Sequence, residues 1–402
     1  LDIKKIALLF AVTIIVSRVF GIDVEIVKPG AAKLAINLSG LRLSQGNASI
    51  VFRKTLENDL KRSGWFTIAA QGKGAIAIVG SSSESHGYIT VMCKAMNQST
   101  GKNYFDKTFN EKISDATRLA HLVNDEIVWT VKKVKGIAST RIVMVGSQGE
   151  KKDIYLCDAD GGNIVRVTKD NTVCLMPSWG PDGKTLVYTS FHKGFPDIYK
   201  IYLATNERKK IVSYPGLNAG ADISPDGRSM VLTLSKDGNP DLYIMDIKTH
   251  ILTRITRTRY AVEASPSWSL DGRQIVFVSD KTGSPQLYII SKNGGKEKRI
   301  TFHGAENVAP DWGPNGCIAY SSRREGRYQI CVMDLKLKKK IQLTTEYADH
   351  EAPSWAPDGR HIVCSRTEGY RSTLYILDTM GDPSLRLITL KGNWYSPDWS
   401  SK

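Results

Sequence analysis

No pair of the form C-x-x-C occurs in this sequence, although it carries six cysteines, Cys93, Cys157, Cys174, Cys317, Cys331 and Cys364. That absence takes away the usual spacing for zinc ribbons and thioredoxin-like redox pairs. Several of the thiols sit inside apolar strand patterns (VMCKAM, YLCDA, QICVM, HIVCS), where cysteine behaves as a small hydrophobe, so buried free thiols are expected. H-E-x-x-H, G-x-S-x-G, the Walker phosphate loop and the Rossmann glycine fingerprint are missing too. The nearest approach to a nucleophile elbow, Gly80-Ser81-Ser82-Ser83-Glu84, fails at its last position. Acidic residues are the minority charge, 40 against 55 Lys and Arg, for a net charge of +15. Such an excess admits nucleic acid, an anionic surface or an acidic protein as partner. The basic residues come in short runs at 208–210, 323–324 and 338–340, where hairpin turns are expected, without interleaved aromatics. A solvated surface accounts for them, and nucleic acid is set aside.

Long hydrophobic runs are also lacking. The apolar stretch 6–16 has about 11 residues, too short to cross roughly 30 Å of hydrocarbon as a helix. It follows Lys4 and Lys5 and precedes Val19 and Gly21, small residues suited to a signal-peptidase cut. Residues 1–21 therefore read as a signal peptide, leaving an exported chain with no membrane span after cleavage.

What is present in quantity is a repeat. PSWGPDGK at 177–184 recurs as ADISPDGR (221–228), PSWSLDGR (266–273), PDWGPNGC (310–317), PSWAPDGR (353–360) and a final PDWSSK (397–402). The ruler residues are Trp179, Ile223, Trp268, Trp312, Trp355 and Trp399, spaced by 44, 45, 44, 43 and 44 residues. A near-constant period of this length marks repeated packing units. Each unit contains short strand patterns, with Asp-Gly or Asn-Gly supplying the positive φ of a tight turn. Strands this short must pack face to face on their neighbours, and the tryptophan is expected as the wedge between them. The first unit (140–168) lacks the block and the last consists only of it. Joined, they make one unit, so 137–402 is expected to form a six-bladed β-propeller closed by the C-terminal strand.

Residues 22–136 carry no copy of the repeat and read as a mixed α/β domain. Turn signals separate short strands, and Asn47 opens a helix with Ile50, Val51, Leu56 and Leu60 on one side. A second helix follows Ser114, with Leu119, Leu122, Val123, Ile127 and Val131 at helical spacing. On it Arg118, His121 and Asp125 share a face. They could serve as an acid–base pair or as metal ligands. With no further ligand cluster nearby in sequence, a surface ion pair between His121 and Asp125 is expected.

The residues just before each Pro-x-Trp block fall at equivalent places, so in a ring they gather on one face. They include Leu217, Asn218, Gly220, Glu263, Ala264, Asn307, His350 and Glu351. Loops on a rigid scaffold commonly carry binding function, which makes this rim a candidate partner surface. Alternatively, the oxygens of Glu263, Asn307, Asn218 and Glu351 could hold a hard cation, as in metal-dependent, lactonase-like propeller hydrolases.

The order of signal peptide, α/β domain and six blades closed by PDWS resembles the TolB family, exported propeller proteins of the Tol-Pal system. DLKRSGWF (59–66), AIAIVG (75–80), RLAHLVNDEIV (118–128) and GIASTRIVMV (136–145) carry the resemblance. It implies a periplasmic, monomeric, non-enzymatic adaptor without a cofactor, serving outer-membrane integrity and constriction during division. A Pal-like peptidoglycan-associated lipoprotein would dock on the propeller face. A TolA-like inner-membrane protein would meet the N-terminal segment Ile22, Asp23, Val24, Glu25, Ile26, Val27 and Lys28, which could also fold back on its own domain.

Overall fold

The computed structural model describes residues 24–26, 32–70 and 73–401. The signal-peptide expectation, and Ile22, Asp23, Val27 and Lys28, lie outside the described residues. After a short strand β1 (Val24–Ile26) the chain forms β2 (Leu34–Arg42), α1 (Asn47–Arg62), β3 (Phe66–Ile68), β4 (Ile76–Ser85), β5 (Tyr88–Asn97), β6 (Asn103–Lys112) and α2 (Ala116–Lys132). Strands β3-β2-β4-β5-β6 make one sheet, parallel from β3 to β4 and then an antiparallel meander. Phe52, Leu56 and Leu60 of α1 and Leu119, Val123 and Ile127 of α2 share a core with Ile36, Ile78 and Val91. Ile50, expected among the α1 core residues, is instead exposed. Asn47 does not cap that helix. Glu84 does so from β4, accepting the Ser49 N–H at 2.8 Å, and hydrogen bonding by the Ser49 side chain, then by its N–H, holds the Glu84 carboxyl below the usual range.

Arg118, His121 and Asp125 also part company. Arg118 pairs with Glu111 at 2.6 Å, and Asp125 accepts the Ala138 and Ser139 N–H groups at the entry to the next domain. His121 is buried at 3% exposure and bonds Asp59 of α1 at 2.7 Å. The expected surface ion pair is thus an interior pair joining the two helices. Helical spacing put the three residues on one side of α2 but could not show that α1 covers its middle.

From Arg141 the chain forms six blades (blades 1–6 below), each a four-stranded antiparallel sheet. Blade 1 takes its three outer strands from Arg141–Gln148, Lys151–Asp158 and Val165–Arg166 and its innermost strand from Asn393–Trp399. The C-terminal strand therefore closes the ring. The ruler tryptophans sit where expected: Trp179 packs among Val143 and Val145 of blade 1 and Leu186 and Tyr188 of blade 2. All six cysteines are free thiols, five of them buried.

Every blade starts its innermost strand on one face of the ring, and blades 2 to 6 make their Asp-Gly or, in blade 5, Asn-Gly turn on the other. The α/β domain docks on the turn face, at blades 1 and 6. Lys33 reaches Asp382 at 2.8 Å, and the Trp65 ring lies 4.5 Å from the Arg360 guanidinium. Strand β1 goes elsewhere. It pairs in parallel with Lys339–Gln342, the outermost strand of blade 5, with Val24 opposite Lys340. Of the two alternatives for this segment, folding back on its own domain is not what these residues do: they cover an otherwise open sheet edge of the propeller.

Candidate interaction face

The residues expected to touch a partner open the innermost strands, and the structure assigns them a different task. Asn218, Glu263, Asn307 and His350 are only 0, 1, 0 and 2% exposed. Asn218 Nδ2 donates to the carbonyls of Pro196, Tyr214 and Gly216, stitching two loops of the rim together. Asn307 Nδ2 does the same through Gln286 Oε1 and the His303 carbonyl. Glu263 Oε1 accepts the Ser279 hydroxyl, and His350 faces Glu346 at 3.7 Å. Leu217, Ala264 and Glu351 are half-buried, and Gly220 lies at the axis. Asn218 Oδ1 accepts the Tyr214 N–H, while Glu263 Oε2 and Asn307 Oδ1 are buried without a partner. The three residues open the innermost strands of three different blades, and no group of three acidic, histidine or cysteine ligands forms around them among the described residues. Side chains at a strand's first position turn inward to brace the adjoining loop, a direction the one-dimensional pattern does not carry.

What does converge on the axis is the residue before each ruler position: Ser178, Asp222, Ser267, Asp311, Ser354 and Asp398, lining a cavity of about 240 Å³. Each innermost strand reaches the axis through a bulge whose residue is left-handed, at φ 50° for Met176, 61° for Gly220, 50° for Ser265, 48° for Ala309, 49° for Ala352 and 44° for Ser396. Each aspartate accepts the backbone N–H of the next blade's tryptophan, Asp398 from Trp179 at 2.7 Å, Asp222 from Trp268 at 2.9 Å and Asp311 from Trp355 at 2.7 Å. The carboxyls see the narrow channel but little bulk water. Burial raises the pKa of Asp222 to about 8, Asp311 to about 6 and Asp398 to about 7, and the nearby carboxylates add to this at Asp222 and Asp398.

A carboxyl whose pKa is higher folded than unfolded favours the folded state at low pH, and that contribution is lost as pH rises through about 6 to 8. Replacing Asp222, Asp311 and Asp398 together by asparagine is expected to flatten this part of the stability–pH curve. Urea midpoints at half-unit steps from pH 5 to 9 measure it. Parallel wild-type and variant curves would refute the assignment.

On the rim outside the axis, the face away from the α/β domain carries the exposed aromatic residues of the propeller. Phe195, Tyr214, Tyr260, Phe302, Tyr347 and Tyr370 are all exposed, Tyr260 and Tyr347 at 82% and Tyr370 at 97%. Each lies in a loop that leads into an innermost strand or joins the second and third strands of a blade. The exposed large apolar residues on the opposite, turn face, such as Ile251, Leu270 and Leu337, are aliphatic. Several rim rings are backed by guanidinium groups, with Arg259 5.2 Å from Tyr260, Arg299 5.1 Å from Phe302 and Arg327 4.3 Å from Tyr347. Tyrosine and arginine dominate the energetic centres of protein interfaces, because both bring large contact areas with polar ends. None of these side chains is among the residues expected to meet a partner. The available signal was an aromatic in four of the six loops leading to a block, Tyr214, Tyr260, Phe302 and Tyr347.

A larger cavity, about 710 Å³, lies between blades 1 and 2 and is lined by Arg141, Arg166 and Arg208. Two of its cations already have carboxylate partners: Arg166 pairs with Asp153 and Arg208 with Asp170.

Comparison with known proteins separates this propeller from others of similar shape. The family model for the TolB beta propeller domain matches residues 130–402. The chain belongs to the TolB family. The crystal structure of TolB from Acinetobacter baumannii superposes with a TM-score of 0.82 at 28% identity, covering 94% of this chain and 98% of that one. The Tol-Pal system protein TolB of Legionella pneumophila is 28% identical over 223 residues, 50% of this chain and 52% of the relative. That of Bordetella avium is 34% identical over 119 residues, 29% of this chain and 27% of the relative. In sequence, then, the chain spans about half the length of the first curated relative it matches. No helix among the described residues is long and apolar enough to cross a membrane.

Proposed function

We propose that this chain is a periplasmic, non-enzymatic adaptor of a Tol-Pal system that receives a Pal-like lipoprotein on the open face of its propeller. The observation that carries the reading is the gathering of the propeller's exposed aromatic side chains on the one face the α/β domain leaves free. Rigid loops braced from beneath by Asn218 and Asn307 present those rings without the cost of ordering them on binding. The exposed Arg257, Arg259, Arg323 and Arg371 favour a partner whose contacting surface is acidic. The N-terminal segment around Val24, Glu25 and Ile26 is the proposed contact for a TolA-like protein. Because it covers the edge of blade 5, that contact competes with its pairing there. The assembly acts in outer-membrane integrity and in constriction during division, with the chain as a monomer.

The test is binding of the cognate lipoprotein by wild type and by a variant carrying Tyr260→Ala, Phe302→Ala and Tyr347→Ala. Loss of central aromatic contacts typically costs about 2 kcal/mol or more, so a weakening of about 30-fold or greater is expected. Leu270→Ala with Leu337→Ala, on the turn face, serves as the control and should bind as wild type does. Equal affinity for the rim variant and the control would remove the proposed face. Glu263→Arg is unsuitable for this purpose, since a charge reversal at 1% exposure tests folding instead of contact.

A further inference from the structure

The seam between the two domains holds a group of side chains that no part of the adaptor reading uses. His121 of α2 offers its ring to the hairpin after Lys151–Asp158 of blade 1. There a ligand atom of His121, one of Asp158 and one of Asp160 lie within 4.8 Å of one another. The imidazole is 3% exposed, its Nδ1 is taken by Asp59 at 2.7 Å, and its Nε2 is buried without a hydrogen-bond partner. A buried ring nitrogen with nothing to bond is costly, and here it stands against two carboxylates. From this geometry we infer a site for a zinc-like divalent transition cation, held by His121 Nε2, Asp158 and Asp160 and bridging the α/β domain to the propeller.

Four features support the assignment. A neutral imidazole with one nitrogen fixed by a carboxylate and the other free is the arrangement in which histidine binds zinc, the carboxylate orienting the ring and raising its basicity. Asp59 supplies that carboxylate. Each acidic ligand has one oxygen secured: Asp158 Oδ2 accepts Asn163 Nδ2 at 2.6 Å, and Asp160 Oδ1 accepts the Gly162 N–H at 2.8 Å. Both carboxylates are thereby oriented with a second oxygen to spare. One nitrogen and two oxygens, with water completing the shell, suit zinc better than calcium, which prefers six to eight oxygens. The spacing is wider than a filled site, whose ligand atoms stand about 3.5 Å apart for bonds near 2 Å. A closure of about 1 Å by the hairpin is required, and a two-residue glycine turn at Gly161 and Gly162 provides the freedom. Arg62 is the opposing cation nearby, its Nη2 3.5 Å from the Ala159 carbonyl.

The experiment uses the mature full-length protein, free of any affinity tag and stripped with chelator, titrated with zinc chloride by calorimetry and weighed by native mass spectrometry. One zinc per chain is expected, with a rise in the unfolding temperature at saturation. Asp158→Asn combined with Asp160→Asn leaves the His121–Asp59 pair and the helix packing in place. It should weaken zinc by about 30-fold or more and abolish the temperature shift. His121→Gln should do the same if it folds. With cobalt in place of zinc, wild type and not the carboxamide variant should show visible absorption bands of low coordination number. Absence of stoichiometric zinc from wild type, or zinc bound equally by the double asparagine variant, would overturn the proposal. Lipoprotein binding is not a readout here, so the site stands or falls separately from the adaptor reading.

Discussion

Deleting residues 393–402 is expected to open the propeller and abolish its cooperative unfolding, the largest effect anticipated for any small change to this chain. The strand Asn393–Trp399 is the innermost layer of blade 1, and it ties together residues from both ends of the repeat region. Arg141 and Ser400 exchange hydrogen bonds, the Arg141 N–H to Ser400 Oγ and the Ser400 N–H to the Arg141 carbonyl, each at 2.9 Å. Trp399 Nε1 donates to Thr140 Oγ1 at 2.7 Å. On its other flank Asp398 holds the Trp179 backbone and indole N–H groups. Loss of the strand leaves Arg141–Gln148 as a bare edge beside the axis and exposes the core around Trp179. The point variant Trp399→Ala removes one buried indole and should cost about 3–5 kcal/mol. Limited proteolysis and calorimetry distinguish the outcomes. A truncated protein that melts in one transition near the wild-type temperature would show that the ring does not depend on its closing strand.

Arg360→Ala is expected to lower stability by about 3–5 kcal/mol, the usual result of removing one side of a buried ion pair. Arg360 is 2% exposed and follows the Asp-Gly turn of blade 6. Its Nη2 lies 2.7 Å from Asp378 and 3.2 Å from Asp382, its Nε donates to Asp378 at 2.8 Å, and its plane faces Trp65 of the α/β domain. Alanine strands the Asp378 carboxylate without its guanidinium, with the His361 Nε2 at 3.5 Å as the remaining neighbour. It also removes the stacking partner of Trp65, so the loss should fall on domain docking as well as on blade 6. Lysine at the same position keeps the charge but not the planar fork, and should recover only part of the stability. Gly64 gives an independent check. It sits at φ 71°, and a Cβ there would come within 2.5 Å of the guanidinium. Gly64→Ala should therefore be destabilising in wild type and less so in the Arg360→Ala background. Additive effects of the two substitutions, or an Arg360→Ala cost below about 1 kcal/mol by urea midpoint, would contradict this account.

The propeller was legible in the sequence because its determinants are local and repeated: the Asp-Gly turn, the tryptophan wedge and the period between them. The count of blades and the closing strand followed from two incomplete units at opposite ends. The interaction face was legible as a place but not as a set of side chains. Position relative to the block located the rim, yet polarity misassigned Asn218, Glu263, Asn307 and His350 as outward-facing. Whether the first residue of a strand points to solvent or braces a neighbouring loop is decided by tertiary contacts. The exposed rings of Tyr260 and Tyr347 were passed over for the opposite reason, since aromatics are ordinarily assigned to the interior. His121 shows a third limit. Its partners come from Asp59 on another helix and from Asp158 and Asp160 in another domain, and no spacing rule within one helix brings such residues together.

The axial alternation of serine and aspartate has a consequence for how this ring can change. A circle of two alternating members closes only on an even number of positions. Adding or deleting a single blade would set two aspartates, or two serines, side by side. In the first case neighbouring charges repel without an intervening hydroxyl. In the second a tryptophan N–H such as that of Trp268, now held by Asp222, loses its carboxylate acceptor. The smallest insertion that preserves the axis is a tandem of two blades, which makes the pair the unit in which a propeller of this kind can be lengthened, swapped or rebuilt.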